Sequence, residues 1–280
     1  MRLAAPEATR PTVDRVHGVY AMRCPLSRTT SPGHRAVFIH RAECVKDALD
    51  PRVTRRELLK LGPLLLLGGF AVPVFRDRLL EAGVAWSDAA SAVVFRGSHR
   101  APVFADDDLV PFERFPYNGY DVLEPSIDFD RWALTVSGAV SRAGRYSLDE
   151  IRALPKITQN TRHVCVEGWD AIGRFGGASL PDFLSLVGAD PRARFITVTC
   201  ADDYYESLDM ATARQSQSLL CYEMYDRPLD RGHGAPLRLQ LPTKLGYKQA
   251  KYLMTLNVID VLPAKCSYWG DQGYSWYGGL

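Results

Sequence analysis

The chain has 280 residues, of which 46% are hydrophobic and 24% are charged, and its net charge is +2. This length suits one large domain or two small ones, and the composition is that of an ordinary globular protein. A nearly neutral charge balance excludes a strongly basic surface for nucleic acid, so no nucleic-acid partner is expected. The six cysteines are too few for a disulfide scaffold, and their spacing does not match a zinc site.

Residues 1–52 are rich in Arg, Pro, Ser and Thr and show little hydrophobic periodicity. Such a composition predicts a disordered extension. An alternative is that translation starts downstream, near Val53, and that these residues are not made.

Residues 53–92 are predicted to form an export signal and a linker. Arg55 and Arg56 precede a short apolar run, Leu61–Val74, in the pattern of a twin-arginine signal. The run is short for a membrane span, which needs about 20 residues. A core helix is the alternative interpretation. Small residues at 89–92 offer a cleavage position, so the segment is either removed or retained as a membrane anchor of a periplasmic or otherwise exported protein.

Residues 93–280 are predicted to form one α+β domain, in which residues 93–131 are an extended wrapping segment. Ser147 to Glu150 match a capping box, which predicts a short helix that stops before Pro155. Ser179 precedes a second helical run. Strands and helices do not alternate regularly, which favours an α+β fold with mixed sheets. The predicted strands cover Trp132–Val136, Lys156–Val164, Phe195–Thr199, Leu219–Tyr225, Leu237–Leu241 and Tyr252–Val261, with a helical turn at Met210–Gln215.

Cys165 follows directly after the predicted strand Lys156–Val164. A thiolate on such a rigid junction can serve as a nucleophile or as a ligand for a soft metal. A buried structural cysteine is the alternative. Because side chains alternate along a strand, His163 is predicted to share the face of Cys165. It is a candidate catalytic proton donor in the same cleft, and a satisfied core histidine is the alternative. Glu167 and Trp169 are interpreted as residues that shape the following loop.

Asp202 and Tyr204 lie in a polar loop after the strand that ends near Cys200. Acidic and phenolic groups beside a redox centre can move protons, so both are candidate catalytic residues. The alternative is an Asx turn with surface aromatic residues.

Three stretches together carry a resemblance to a known family. They are Arg162–Trp169, Gly234–Arg238 and Lys244–Lys251. In this order they resemble the sulfite-oxidase-type molybdopterin oxidoreductases, and most of all the bacterial periplasmic single-domain branch that includes the catalytic subunit of protein-methionine-sulfoxide reductase. The resemblance extends from about Tyr117 to about Asp260.

The resemblance implies a molybdenum-molybdopterin cofactor whose metal takes one protein thiolate, from Cys165. It also implies phosphate-binding cations at Arg238 and Lys251, with Lys244 and Lys248 as candidates of lower rank, and close backbone approach at Gly246. The remaining residues that the resemblance places at the cofactor are Asn118, Tyr120, Asp121, Gln249 and Ala250. For Asn118 a simple Asn-Gly turn is the alternative.

Two positions depart from the reductase branch. Cys200 stands where that branch has a hydroxyl residue, and His233 stands where it has an amide. Both are expected to contact the cofactor, and for Cys200 a core position is the alternative. The aromatic segment 268–277 is expected to cover the cleft, to meet a partner or to pack in the core.

The resemblance implies an exported enzyme that reduces S-oxide or N-oxide substrates, such as methionine sulfoxide. With no haem expected in this chain, electrons would come from a separate partner, which the resemblance implies is a membrane cytochrome b. Oxidation of sulfite or another small oxyanion at the same site is the first alternative. A hydrolase that pairs Cys165 with His163 or His233, and a non-catalytic cofactor-binding module, are the others.

Overall fold

The computed structural model describes residues 76–94, 100–118 and 125–280. The predicted extension 1–52, the arginine pair and the apolar run up to residue 74 lie outside these ranges. So do two of the candidate cofactor residues, Tyr120 and Asp121.

Short helices and strands follow one another in mixed order, which confirms the α+β class. The helix α1 crosses the boundary expected between linker and domain at residues 92 and 93. The helices are α1 (Arg76–Val94), α2 (Leu148–Arg152), α3 (Leu180–Leu186), α4 (Met210–Ala213) and α5 (Tyr268–Asp271), and the strands are β1 (Ala133–Gly138), β2 (Gly144–Ser147), β3 (Lys156–Val164), β4 (Asp170–Ser179), β5 (Phe195–Cys200), β6 (Tyr205–Asp209), β7 (Leu219–Met224), β8 (Arg227–Pro228), β9 (Arg238–Gln240) and β10 (Leu253–Ile259).

The first sheet has five strands in the order β2-β1-β10-β5-β6. β1 and β10 are parallel, with Thr135 opposite Thr255, and the other neighbours are antiparallel. This sheet and helices α2 and α3 enclose the larger hydrophobic core, which includes Leu134, Phe183 and Leu256. The strand β10 therefore lies in the middle of the sheet although it comes last in the chain.

The second sheet has the order β3-β4-β7-β8, and β9 also pairs with β7. β3 and β4 form a hairpin in which Val164 lies opposite Asp170. The tip is a tight turn, because Cys165 N donates to Trp169 O at 2.9 Å and Gly168 N donates to Cys165 O at 3.2 Å. Gly168 has φ +91°, a conformation that L side chains rarely adopt. The hairpin therefore fixes the backbone of Cys165.

The predicted strands and helix starts are confirmed within a residue or two. β3 covers the predicted range, and Ser147 and Ser179 cap α2 and α3 by accepting hydrogen bonds from Glu150 N and Asp182 N. β4 was not predicted. It is rich in glycine, which is uncommon in strands, but a Cβ on Gly177 would lie 2.2 Å from Leu220 O. The close approach of β7 therefore requires glycine there.

No helix in the described ranges has both the length and the apolar composition needed to cross a membrane.

Candidate active site

A cleft of about 900 Å³, measured out to its open mouth, lies where the hairpin β3–β4 meets the segment before β10. Six parts of the chain contribute to it: the segment before β1, the hairpin β3–β4 at its tip, the loop after β5, the turn before β9 with β9 itself, the segment 246–251, and the C-terminal segment through Trp269. The lining residues are Phe115, Pro116, Tyr117, Asn118, His163, Cys165, Val166, Glu167, Trp169, Asp202, Tyr204, His233, Arg238, Gly246, Tyr247, Gln249, Ala250, Lys251 and Trp269.

Cys165 lines this cleft and is half-buried. Burial raises the pKa of its thiol, so in the absence of a metal the group is held as the neutral thiol. Asn118 Nδ2 lies 3.4 Å from the sulfur. The site thus presents one thiol on a rigid turn with an amide donor beside it.

Glu167 lies closer to this thiol than the sequence suggested. Asn118 Nδ2, which contacts the sulfur of Cys165, also donates to Glu167 Oε2 at 2.6 Å. Trp169 Nε1 donates to the same oxygen at 3.3 Å. The interpretation of Glu167 as only a loop-shaping residue is therefore incomplete. Strand alternation could not have found it, because β3 ends at Val164 and residues 165–168 form the turn.

His163 lines the cleft together with Cys165, as the alternation predicted. Its ring stacks on Trp169 at 5.6 Å between centroids. Burial, with the Arg238 guanidinium nearby, lowers the pKa of His163 to about 3. The imidazole is therefore neutral at ordinary pH and can accept or donate a hydrogen bond without carrying charge.

Arg238 lines the cleft from β9 and is only 4% exposed. Its Nη1 donates to His233 O at 3.0 Å, and it forms no ion pair with a carboxylate among the residues that the structure describes. Burial lowers its pKa, which expresses the cost of keeping this charge away from water. A buried cation of this kind calls for an anion in the cleft.

Lys251 also lines the cleft, but its ammonium takes part in the protein's own structure. Lys251 Nζ donates to Asn118 O at 2.6 Å and to Gly232 O at 2.8 Å. The lysine therefore joins the segment before β1 to the turn before β9. Gln249 and Ala250, the neighbouring candidates, are both buried and line the same wall.

His233 is 3% exposed and lines the cleft from the turn before β9. Its Nδ1 lies 2.7 Å from Asp230 Oδ1, and Nε2 has no hydrogen-bond partner in the described part of the chain. The rings of Phe112, Phe115 and Tyr117 surround it. A buried polar atom without a partner is costly, so Nε2 indicates a ligand contact.

Asp202 and Tyr204 both line the cleft. Burial raises the pKa of the Asp202 carboxyl and of the Tyr204 phenol. The Tyr204 hydroxyl donates to Tyr247 O at 2.7 Å, and Tyr204 N donates to Asp202 Oδ1 at 3.3 Å. The Asx-type turn is therefore present, but its tyrosine is buried at the cleft and not on the surface.

Cys200 does not line the cleft. It continues the inward alternation of β5 after Ile196 and Val198 and packs in the larger core. This is the core position that the alternative interpretation expected, and a contact between Cys200 and a cofactor stays a prediction. Lys244 and Lys248 are also absent from the lining. Both are buried, and each ammonium has a partner inside the protein. Lys248 pairs with Glu206 at 2.6 Å, and Lys244 donates to Tyr277 O at 2.9 Å.

Within the described ranges no three His, Cys, Asp or Glu side chains come together as a metal site. A metal at Cys165 would therefore need most of its ligands from a cofactor. The side chains of the cleft fit such a group. Among the described residues they combine one thiol, a buried cation that pairs with no carboxylate, and an imidazole nitrogen, His233 Nε2, without a hydrogen-bond partner.

The sequence of the chain places it among the molybdopterin-binding oxidoreductases. A family model described as the oxidoreductase molybdopterin binding domain matches residues 122–267, and the chain belongs to that family.

Its relatives include a putative protein-methionine-sulfoxide reductase subunit YedZ1 of Azospira oryzae. That protein is 40% identical over 227 residues, which are 79% of this chain and 84% of the relative. The protein-methionine-sulfoxide reductase catalytic subunit MsrP of Xanthomonas campestris is 28% identical over 61% of this chain, and the match spans 59% of that protein. A solved structure, the sulfane dehydrogenase SoxCD from Paracoccus pantotrophus, is 17% identical with a TM-score of 0.46, over 48% of this chain and 40% of that one.

Proposed function

We propose that the chain is an exported molybdopterin-dependent reductase of S-oxides, with methionine sulfoxide as the substrate type. The observation that carries the proposal is that Cys165 and Arg238 line the same cleft. The thiol is half-buried, and the guanidinium is buried without an ion pair to any carboxylate of the described residues. The names of the relatives add the direction and the substrate.

In this proposal Cys165 supplies the protein thiolate to molybdenum, and Arg238 binds the phosphate of the pterin. A charge-assisted hydrogen bond of this kind contributes roughly 1.5–3 kcal/mol. His233 Nε2, Gln249 and the backbone at Ala250 complete the polar wall. Lys251 adds positive charge, and it holds the Asn118 segment in place. The bound molybdenum cofactor supplies the two-electron oxygen-transfer chemistry.

Reduction of a sulfoxide consumes two electrons and two protons and releases one water. The protons have to come from groups at the cleft. Glu167 is the foremost candidate, because Asn118 links it to the thiol of Cys165. Asp202 is the second, since burial raises its pKa toward the range where a carboxyl can act as an acid. His163 remains neutral, so we assign it a role in orienting groups at the cleft.

The electrons have to come from outside, and we propose a membrane cytochrome b as their source. This chain is proposed to contribute no haem. The arginine pair at Arg55 and Arg56 supports export by the twin-arginine route, which carries folded proteins with their cofactors to the periplasm.

The test uses one preparation expressed in a host that makes molybdopterin. About one molybdenum per chain is expected, and with a reduced dye as donor the protein should reduce a methyl sulfoxide faster than it oxidises sulfite. Cys165→Ser should fold but lose turnover, and Cys221→Ser, a buried cysteine outside the cleft, is the matched control. Sulfite oxidation without sulfoxide reduction would overturn the substrate. Full activity in Cys165→Ser would overturn the site itself.

A further inference from the structure

The segment Ser267–Gly279, here called the C-terminal wall, closes one side of the cleft. Its residue Trp269, in α5, lines the cleft, and Tyr274 packs edge-on against it at 5.1 Å between ring centroids. Tyr274 N donates to Trp269 O at 3.0 Å. Tyr247, which also lines the cleft, donates from its hydroxyl to Ser275 O at 2.6 Å. The position of this wall therefore determines where two aromatic cleft residues lie.

Asp88 in α1 anchors the wall from behind. Its side chain is buried, at 2% exposure. The carboxylate accepts hydrogen bonds from the Ser275 hydroxyl, from Trp276 N at 3.0 Å and from Tyr277 N at 3.4 Å. Burying a carboxylate is costly unless it is hydrogen-bonded. Asp88 accepts from three neighbouring donors at residues 275–277, so its carboxylate stabilises this conformation of the wall.

Two further contacts extend the anchorage to the rest of the domain. Trp276 Nε1 donates to Ser207 Oγ at 2.8 Å, and Leu245 N donates to Gly278 O at 2.8 Å. The second contact joins the wall to the chain just before the cleft segment 246–251. A displacement at Asp88 would thus be transmitted to Trp269 and Tyr247, whereas Cys165 and Arg238 lie on the second sheet and its hairpin.

We propose that Asp88 is a positioning residue for the side of the cleft formed by Trp269 and Tyr247, which we take as the substrate side, and that α1 is a permanent part of the working enzyme. That this side meets the substrate rests on the proposed function, whereas the contacts between Asp88 and the C-terminal wall do not depend on it. The run of small residues at 89–92 directly follows Asp88. Cleavage there would separate Asp88 from the wall, so processing within this run is incompatible with the proposal.

The experiment compares Asp88→Ala with wild type and with Asp149→Ala, which removes a carboxylate that is 93% exposed on α2. Hydrogen exchange of residues 268–277 is measured on the cofactor-loaded protein. Asp88→Ala should lower the protection of these residues by about tenfold or more. It should also raise KM for a methionine-sulfoxide peptide about tenfold with kcat within about twofold and molybdenum content unchanged. Asp149→Ala should change neither property.

Ser275→Ala, which removes one of the three donors, covers the case in which Asp88→Ala fails to fold. It should show a smaller change in the same direction. Unchanged protection of residues 268–277 in both variants would overturn the positioning role. So would equal losses in kcat and in cofactor content, since these indicate general destabilisation. An intact mass of the exported enzyme that begins after Asp88 would overturn the permanence of α1. If the wild type reduces no sulfoxide but the exchange result is obtained, the proposed function fails while the anchorage stands.

Discussion

Lys251 Nζ donates a hydrogen bond to the backbone carbonyl of Asn118 at 2.6 Å, across 133 positions of the sequence. The same ammonium donates to Gly232 O at 2.8 Å. Like Arg238, Lys251 brings positive charge to the cleft. Unlike Arg238, it also fixes the backbone that presents the Asn118 amide to Cys165.

This difference predicts separable effects for the two cations. Arg238→Met should reduce cofactor retention through the loss of one charge-assisted bond, roughly 1.5–3 kcal/mol. Lys251→Met should reduce retention and should also lower kcat in the fraction that remains loaded, because Asn118 is released. Molybdenum content and turnover per molybdenum distinguish the two. Lys265→Met, on the exposed surface, is the control. Equal turnover per molybdenum in all three variants would contradict the role of Lys251 in holding the Asn118 backbone.

Glu167→Gln tests the proposed proton donor. Glutamine keeps the shape and can still accept from the Asn118 amide, but it cannot release a proton at ordinary pH. We expect kcat to fall about 10²-fold, a typical contribution of general acid catalysis, with KM and molybdenum content unchanged. Steady-state assays over a range of pH provide the measurement. Asp202→Asn is the matched comparison, and a larger loss there would transfer the role to Asp202.

Lys244 predicts a pH dependence of stability. Burial lowers the pKa of this lysine to about 7, whereas an unfolded lysine has a pKa of about 10.4. Between these values the unfolded chain binds more protons than the folded one, so the free energy of unfolding rises with pH, by at most about 1.4 kcal/mol per unit. Lys244→Met should remove this contribution.

Denaturant unfolding of the wild type and Lys244→Met at pH 7, 8 and 9 measures the effect. The stability of the wild type relative to the variant should grow with pH. Lys265→Met should run parallel to the wild type. Parallel curves for Lys244→Met would show that its ammonium stays charged in the fold.

The proposed export signal can be tested at Arg55 and Arg56, which lie outside the described ranges. Arg55→Lys/Arg56→Lys should leave the folded protein in the cytoplasm, since a twin-arginine signal requires both arginines. Arg76→Lys/Arg78→Lys, a pair on the other side of the apolar run, should be exported normally. Cell fractionation detects both outcomes. Periplasmic recovery of the first double variant would exclude this route.

Local patterns predicted much of the fold. The β-branched run at Phe195, the strand that delivers Cys165 and the serine caps at Ser147 and Ser179 all depend on residues within one element. β4 escaped prediction because its glycines make room for distant parts of the chain. Gly177 makes room for β7 and Gly173 for the ring of Phe115, each more than 40 positions away in sequence, so no local pattern expresses the requirement.

In the candidate site, too, positions set by local sequence were predictable, whereas contacts between distant residues were not. Cys165, His163 and the cleft-lining position of Arg238 were predictable from spacing and resemblance. The link between Asn118 and Glu167 was not, because 49 positions separate them. The burial of Lys244 and Lys248 was not predicted, since charged side chains are mostly exposed. Their partners Asp209 and Glu206 lie on another strand and give no signal in the local sequence.

The central place of β10 in the first sheet imposes an order of events during synthesis. Ser137 on β1 and Asn257 on β10 are in contact but are 120 positions apart. The pairs β1–β2 and β5–β6 can form earlier, but β1 and β5 each keep one open edge until β10 is made. Forming contacts between residues so far apart in sequence is slow, and an unpaired strand edge can meanwhile pair with another chain. The segment 246–251 directly precedes β10. A ligand that needs both this segment and the tip of the β3–β4 hairpin therefore cannot be held by a chain that ends before residue 251, and β10 follows directly after that point.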